Sequence, residues 1–301
     1  MTEVLISVVI PAYNYAGTLP RAVDSVMKQL GDVRAELLVI DDGSTDATPQ
    51  VLQALSTKYA GRFRFLRKPN GGLSSVRNRG IEETTGDFLI FLDADDEMAD
   101  DALAALKRHI AMHPASRMII GGYWSVFPGG KRSLQCVKHL PPTARQKIRG
   151  YLLDKTLPIS NGACAMHRDV FGPGTYPERF RNVEDVPVFA QVLARFPCTA
   201  IDMPLAYIHK HADSMRNDLA QSLAAGTDIV DEVFSPERMP ADLHDLRQPF
   251  FAQRCLSLFR DCYVGGRYKL ARQFYLQALR TDWRAVMRWS YTRKAARLLI
   301  K

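Results

Sequence analysis

Residues 88–96 read FLIFLDADD, and this stretch decides the fold. An apolar run from Phe88 to Leu92 stops at once in Asp93-Ala94-Asp95-Asp96. A continuous apolar run, not an alternating one, is what a parallel strand covered on both faces requires. The same pattern occurs twice upstream. Ile6 to Ile10 is apolar and β-branched and ends in Pro11-Ala12-Tyr13-Asn14, and Glu36 to Ile40 ends in Asp41-Asp42-Gly43-Ser44. Helical patterns separate these runs. Leu19, Ala22, Val23, Val26, Met27 and Leu30 form one stripe, and a second helix runs from Asp46, its expected cap, to Tyr59. Arg62 to Leu66 reads as a short third strand, and Val76 to Glu83 as a helix after Asn70-Gly71-Gly72. Beyond the acidic stretch come a helix from Asp100 to His113 and a strand from Arg117 to Tyr123. Such alternation predicts an α/β fold with a parallel sheet covered on both faces by helices.

The rest of the chain is read in the same way. Pro128-Gly129-Gly130 marks a hairpin turn, and Pro141-Pro142-Thr143 opens a helix. Gly162 to Phe171 is expected as a strand running into a short helix, and Val183 to Phe196 as a helix opened by Glu184-Asp185. Thr199 to Met203 and Leu205 to His209 read as two strands. Pro236, Pro240 and Pro249 suggest a linker, and Phe250 to Ile300 is helical with a break at Gly265-Gly266. The expected organisation is one domain over residues 1–215, then a linker and a helical basic region over residues 216–301.

Composition excludes several classes. With 301 residues, 47% hydrophobic and 24% charged, the chain is neither disordered, collagen-like nor a disulfide scaffold. No apolar run reaches the roughly 18 residues of a membrane-spanning helix. Val4 to Ile10 lacks a basic flank and a cleavage site, so it reads as a strand and not a signal peptide. Five widely spaced cysteines read as free thiols in a reducing cytosol. The net charge of +8 is unevenly spread. Residues 247–301 hold 13 Lys or Arg against Asp261 and Asp282, a net of +11, and the rest holds 27 bases and 30 acids, a net of −3. A basic tail on a slightly acidic body points to an anionic partner.

Ligands of open α/β sheets bind beyond the carboxyl ends of the strands. Here those ends are polar or acidic. Crowded carboxylates repel one another, and a divalent cation resolves the repulsion. Oxygen ligands suit Mg²⁺ or Mn²⁺, which commonly keep substrate phosphates as further ligands. Neither G-x-G-x-x-G nor a phosphate-binding G-x-x-x-x-G-K-[ST] loop is present. A diphosphate is therefore expected on metal and on basic side chains, with Arg77 and Arg79 as candidates.

These residues fall into ordered motifs: SVVIPAYN at Ser7–Asn14, VIDDGSTD at Val39–Asp46 and NGGLSSVRNRGI at Asn70–Ile81. FLDADD at Phe91–Asp96, NVEDV at Asn182–Val186 and YIHKHADS at Tyr207–Ser214 follow. Over residues 5–215 the chain resembles family-2 inverting glycosyltransferases of the GT-A fold, which implies an α/β domain with a single Rossmann-like, mixed, mostly parallel sheet flanked by helices, here with a C-terminal helical basic extension. The resemblance implies that Pro11, Ala12 and Tyr13 form the lip of the nucleobase pocket, and that Asp42 meets the pyrimidine edge. It places Arg77, Asp93 and Ala94 beside the nucleotide, Asp95 on the metal and His211 at the metal or diphosphate. Asp185 matches the catalytic base. The activity implied is hexosyl or deoxyhexosyl transfer from a UDP- or dTDP-sugar, with Mg²⁺ or Mn²⁺, to a glycan or lipid-linked, lipopolysaccharide-type acceptor. The expected place is the cytoplasm, peripheral on the inner face of the cytoplasmic membrane, and no nucleic-acid reader motif is present.

Plainer readings stand beside these. Asp41 and Asp42 before Gly43 suit a turn. Asp100 and Asp101 suit a helix start, and Asp96 either a cap or the metal site. Glu184 and Asp185 could exchange roles, and either His209 or His211 could be the ligand. His109 and His113 have zinc-like spacing, though a solvated helix end is the preferred reading. Cys164 reads as buried filler. The tail, with Trp283, Trp289 and its arginines, suits an anionic membrane or a helical appendage with a solvated face. A sugar-nucleotide pyrophosphorylase-like enzyme and a non-catalytic nucleotide or nucleic-acid binder are the alternatives.

Overall fold

The computed structural model describes residues 4–31, 33–211 and 219–298. They form two compact units, each discontinuous in sequence. The boundary expected at residue 215 lies outside the described residues, as does the 212–214 part of the last motif.

The first unit comprises residues 1–141, 157–178 and 196–212 and holds the sheet. Its strands are β1 (Ile6–Ala12), β2 (Ala35–Asp41), β3 (Arg64–Arg67), β4 (Phe88–Phe91), β5 (Glu97–Met98), β6 (Met118–Val126), β7 (Arg132–Gln135), β8 (Cys164–His167) and β9 (Cys198–His209). Their order is β3-β2-β1-β4-β8-β6-β9-β5, with β7 paired to β6. The β3-β2-β1-β4 half is wholly parallel, β6 and β9 also pair in parallel, and the remaining ladders are antiparallel. Most paired residues thus lie in parallel ladders, as the uninterrupted apolar runs require. Every residue of β1 and of β4 is buried.

Helices α1 (Leu19–Met27), α2 (Thr48–Lys58), α3 (Leu73–Glu83) and α4 (Ala102–Met112) connect these strands. Helix α1 buries Leu19, Ala22, Val23, Val26 and Met27, the stripe read from spacing. Each large member contributes roughly 1.5–3 kcal/mol on burial. Asp46 is not the residue flanking α2; its Oδ1 accepts from Thr48 N at 2.9 Å one step further in. The two strands expected at residues 199–209 are one. Strand β9 runs through Pro204, and its register against β6 shifts between Ile120 and Tyr123, absorbing the proline in a bulge. The turn at Pro128-Gly129-Gly130 joins β6 to β7, with φ of 83° and 84° at the glycines.

The second unit comprises residues 142–156, 179–195 and 213–301. It contains α5 (Ala144–Ile148), a π-helical turn (Arg149–Asp154), α6 (Asp185–Arg195), α7 (Leu219–Ala225), α8 (Ile229–Val233), α9 (Arg247–Val264), α10 (Tyr268–Thr281) and α11 (Trp289–Arg297). Thr143 caps α5 in a reciprocal box with Gln146. The proline-rich stretch is no linker. Pro240 precedes a 3₁₀ turn (Ala241–Leu246), and Pro249 lies in the first turn of α9, where its missing N–H costs no helical bond. Buried Arg238 bonds Glu232 at 2.8 Å and also reaches Gln191, which ties this stretch to α6. Cys255, Leu256, Phe259 and Cys262 of α9 pack with Ala271 and Ala278 of α10. Among the described residues no helix is long and apolar enough to cross a membrane.

Candidate active site

The C-terminal ends of β1, β2 and β4 deliver their loops to one edge of the first unit. The β1 and β2 loops are tied together by Asn14. Its left-handed backbone (φ 60°) turns the side chain so that Oδ1 accepts from Thr45 N at 2.8 Å and from Asp46 N at 3.3 Å. Ser44 Oγ accepts from Asn14 N at 2.9 Å. Pro11 and Ala12 are buried in the end of β1, and Tyr13 beyond them is 45% exposed. A ring presented in this way is suited to stacking.

Asp42 organises the next loop. Its carboxylate accepts from Lys68 Nζ at 2.5 Å, Gly71 N at 3.0 Å and Gly72 N at 2.7 Å. Three donors on a buried carboxylate exceed what a simple turn residue needs. Gly43 (φ 74°) lets the loops close: a Cβ there would stand 2.9 Å from Asn70 N. Buried Asp41 accepts from Ser44 N at 2.9 Å and stands 3.2 Å from Arg67 Nε.

Helix α3 then delivers Arg77. The buried guanidinium donates to Asp93 Oδ1 at 3.2 Å and lies over the Tyr176 ring, 5.2 Å from its centroid. Arg79 does not join it. It pairs with Glu82 and Glu83 along the outer face of α3, as residues three and four apart do. The C-terminal carbonyls of α3 and its following loop are satisfied by Arg168, which donates to Ile81 O, to Thr84 O at 2.7 Å and to Gly86 O at 3.1 Å.

After β4, Asp93 and Asp95 remain partly accessible while Asp96 is buried. Burial pushes the Asp96 carboxyl well above the ordinary carboxylate range, and the charges of Asp93 and Asp95 push the same way. Burial, and then the same carboxylates, raise the Tyr15 phenol. Asp96 Oδ1 accepts from His209 N at 2.8 Å, so it anchors the end of β9. His209 and His211 go to different partners. The strand ends at His209, which reaches Glu97 Oε1 at 2.8 Å, whereas His211 Nε2 stands 2.6 Å from Asp95 Oδ2. Arg21 donates to Asp95 O at 2.5 Å and stands 3.3 Å from Glu97.

Among the described residues no group of three or more His, Cys, Asp or Glu side chains converges as a closed metal site. The donor set nevertheless fits Mg²⁺ or Mn²⁺. Asp93 and Asp95 would offer carboxylate oxygens with solvent access and His211 one imidazole, next to an Asp96 whose carboxyl is pushed up by burial and then by the charges of Asp93 and Asp95. His109 and His113 form no such site. His109 is buried, its Nε2 lies 2.9 Å from Thr199 Oγ1, and its ring stacks 4.4 Å from that of His113. His113 at the helix end is exposed, as expected, whereas His109 one turn earlier packs into the core. Cys164 is buried, its thiol facing Asn161 O at 3.8 Å.

In the second unit, half-buried Asp185 is the first residue of α6 and Glu184 before it is buried. One turn on, Phe189 packs edge-to-face on Tyr151, with centroids 6.0 Å apart. Lys155 Nζ stands 5.9 Å from that Tyr151 ring. Lys155 ends the π-helical turn in a left-handed conformation, φ 56°. Most of the space around its ammonium is protein. This burial pushes it down to about 8, opposed by the Asp185 carboxylate and assisted by Arg254, Arg288 and Arg260. The side chain keeps exposed surface, so water tempers the effect and its direction is what counts.

The model of glycosyl transferase family 2 matches residues 7–172, more than half of the chain. The chain belongs to glycosyl transferase family 2. Among the proteins it resembles, the glycosyltransferase GlyA of Streptococcus pneumoniae is 32% identical over 120 residues, 40% of this chain and 17% of that protein. The PGL/p-HBAD biosynthesis glycosyltransferase of Mycobacterium bovis is 34% identical over 123 residues, 40% of this chain and 47% of that one. The chain spans less than half the length of these curated relatives. Among solved structures, S. aureus TarS 1–349 in complex with UDP-GlcNAc matches with a TM-score of 0.67 and 21% identity, covering 93% of this chain and 81% of that one. Mannosyltransferase PcManGT from Pyrobaculum calidifontis, in complex with GDP-Man and Mn²⁺, matches with a TM-score of 0.55 and 17% identity, covering 98% and 84%. These likenesses establish the fold, a GT-A glycosyltransferase architecture.

Several residues at this edge carry no signal in their local sequence. Lys68 precedes a proline and reads as a surface base. Tyr176 lies in an irregular stretch, yet its ring backs Arg77 and its hydroxyl donates to Asn161 Oδ1 at 2.7 Å. Arg21 sits on the helical stripe's polar side. Only the crossing of distant loops brings these residues to the edge.

Proposed function

We propose that this family-2 member is a metal-dependent, inverting glycosyltransferase. On this reading it moves a hexosyl or deoxyhexosyl group from a UDP- or dTDP-sugar to a hydroxyl of a glycan or lipopolysaccharide-type acceptor. The observation that carries the reading is the meeting of Asp42, Arg77, Asp93, Asp95 and His211 at the carboxyl edge of the parallel strands. The ligands named for the two solved neighbours, a nucleotide sugar in each and Mn²⁺ in one, support it.

The roles follow from chemistry. Tyr13 stacks on the base at the lip formed with Pro11 and Ala12, and Asp42 meets the pyrimidine edge through its remaining lone pair. Arg77 offsets the charge of Asp93 beside the diphosphate. Asp93, Ala94 and Asp95 line the phosphate end, and Asp95 with His211 would hold the cation. When bound, the cation supplies neutralisation of the departing diphosphate. Asp185 accepts the acceptor hydroxyl proton as that oxygen attacks the anomeric carbon. A new C–O bond forms, the bond to the diphosphate breaks, and its electron pair leaves on the nucleotide. In-line displacement inverts the anomeric centre. The dipole of α6 favours the anionic form of Asp185.

The pyrophosphorylase-like alternative calls for a glycine-rich basic loop after β1, where Pro11-Ala12-Tyr13-Asn14 stands. A non-catalytic binder has no use for an intact Asp93-x-Asp95 and Asp185. The basic helices are proposed as a foot on the anionic inner face of the cytoplasmic membrane, not as a nucleic-acid surface. Trp283, Met287 and Trp289 are 67%, 73% and 66% exposed among arginines. The test of the donor is a thermal-shift panel of nucleotides and nucleotide sugars with Mn²⁺. A UDP- or dTDP-sugar is expected to raise Tm most, and a panel without any shift sinks the reading.

A further inference from the structure

The second unit contains a cleft that the reading above leaves unused. It has a volume of about 210 Å³, below the roughly 300–1,000 Å³ of pockets for drug-sized ligands, and suits one compact group. Arg149, Arg284 and Arg288 line it together with the carboxylates of Asp154 and Asp282, the amide of Gln253 and the apolar Leu153 and Leu256. The arginines come from three places: the π-helical turn, the 3₁₀ turn after α10 (Trp283–Met287) and the residue before α11. Arg288 is fixed, donating to Gln253 Oε1 and to Leu153 O at 3.2 Å. Arg149 has only a long contact with Asp154, at 3.9 Å, and the Arg284 guanidinium has no ion-pair partner among the described residues. The acids at the cleft are occupied in part: Asp282 Oδ1 accepts from Arg284 N at 3.0 Å.

The chain leads from the cleft to Lys155, which follows the lining residues Leu153 and Asp154. Leu153, whose carbonyl holds Arg288, is two residues before Lys155, and the Lys155 ammonium stands on the Tyr151 ring that packs on α6 below Asp185. On the Lys155 ammonium the Asp185 carboxylate acts against the guanidinium groups of Arg254, Arg260 and Arg288. Arg254 is committed to Gly226 O at 2.8 Å and Ser222 O at 3.0 Å, and Arg260 to Asp261 at 2.9 Å. A solvated basic face spreads its charges, but here Arg149, Arg284 and Arg288 converge on one cleft from three separate segments. Crowded carboxylates call for a cation, and by the same physics crowded guanidinium and ammonium groups call for an anion. Arginine forks match carboxylate and phosphate oxygens in pairs, and a phosphate, with more oxygens, can take forks from more than one of these three arginines.

We propose that this cleft binds a phosphate group of the acceptor and thereby presents a neighbouring hydroxyl to Asp185. The proposal rests on Asp185 as base, and it narrows the acceptor to a phosphate-bearing glycan or carrier. Glycerol phosphate is the soluble probe, and phosphatidylglycerol vesicles are the probe for a lipid headgroup. Saturable binding of glycerol phosphate without metal is expected, weakening as salt rises and not displaced by UDP. Arg149→Ala/Arg284→Ala, both at exposed positions, is expected to weaken it about tenfold or more, with UDP affinity in Mn²⁺ unchanged. Arg284→Glu alone is expected to act in the same direction, which guards against misfolding of the double variant. Binding that UDP displaces, or that both variants retain, overturns the proposal. So does vesicle binding that the double variant loses but glycerol phosphate does not displace, since the cleft would then hold a headgroup. Asp185→Asn separates the two readings: it should keep phosphate binding and lose transfer. Retained transfer would remove the base and leave the cleft as a binding site, whereas lost phosphate binding in the wild type would remove the cleft alone.

Discussion

Asp185, Asp95 and Lys155 are the residues at which the chemistry is tested. Replacing Asp185 by Ala removes the proposed proton acceptor and nothing that touches the nucleotide. Sugar transfer should fall by about 10²–10⁴-fold or more, while nucleotide affinity stays within error. A fully active variant would refute the assignment. Asp95→Ala should abolish the Mn²⁺-dependent part of UDP binding in calorimetry, because it removes a carboxylate that His211 and the acidic turn surround. Unchanged binding with Mn²⁺ speaks against its role as ligand. Lys155 predicts a pH effect. Burial holds its ammonium below the ordinary lysine range, toward about 8, with Asp185 of α6 opposing and Arg254, Arg260 and Arg288 assisting. Its charge is present at lower pH and lost as pH rises through that value. Transfer should therefore decline on the alkaline side well before an ordinary lysine titrates. Lys155→Arg, which stays charged, should carry activity to higher pH. Identical alkaline limbs in the two proteins would dismiss Lys155.

Helix α3 shows how an element positions a site. Its Gly80 lies directly on β1, where an added Cβ would stand 2.7 Å from Val9 Cγ1. Glycine usually weakens a helix by about 1 kcal/mol relative to alanine. Here close approach outweighs propensity, since Val9 is fully buried in β1 and cannot move aside. Gly80→Ala should destabilise the protein by roughly 1–3 kcal/mol, read as a lower Tm. It should also weaken nucleotide binding, because a displaced α3 moves Arg77 away from Asp93. A raised Tm would show that propensity wins. Element types were readable because apolar spacing reports which face is covered. Contact-level details were not. The bulge at Pro204 turned two expected strands into one, and a buried His109 replaced a solvated one, because each depends on a neighbour distant in sequence.

At the scale of the whole molecule, the +11 of residues 247–301 belongs to helices that carry their own core. Removing residues 270–301 would take Ala271 and Ala278 from α9 and expose Cys255 and Phe259. Surface substitution is the cleaner probe of the membrane foot. Trp283→Ser/Trp289→Ser should leave Tm nearly unchanged and reduce flotation with anionic liposomes at low salt. Equal flotation of variant and wild type removes the foot.

From the sequence alone came the α/β class, the parallel half of the sheet and the polar strand ends. These are local properties: an apolar run of given length and the residue that stops it. The same holds for Asp42, Arg77, Asp93, Asp95 and Asp185, which sit in short motifs at strand ends or helix starts. Tertiary structure alone decided which of His209 and His211 meets Asp95, that Arg79 turns outward, and that Lys68, Arg21 and Tyr176 join the edge. It also gathered Arg149, Arg284 and Arg288 around one cleft from segments more than a hundred residues apart. The reason is physical. Spacing encodes which face of an element is buried, whereas a partner across the fold is selected only when loops far apart in the chain pack together.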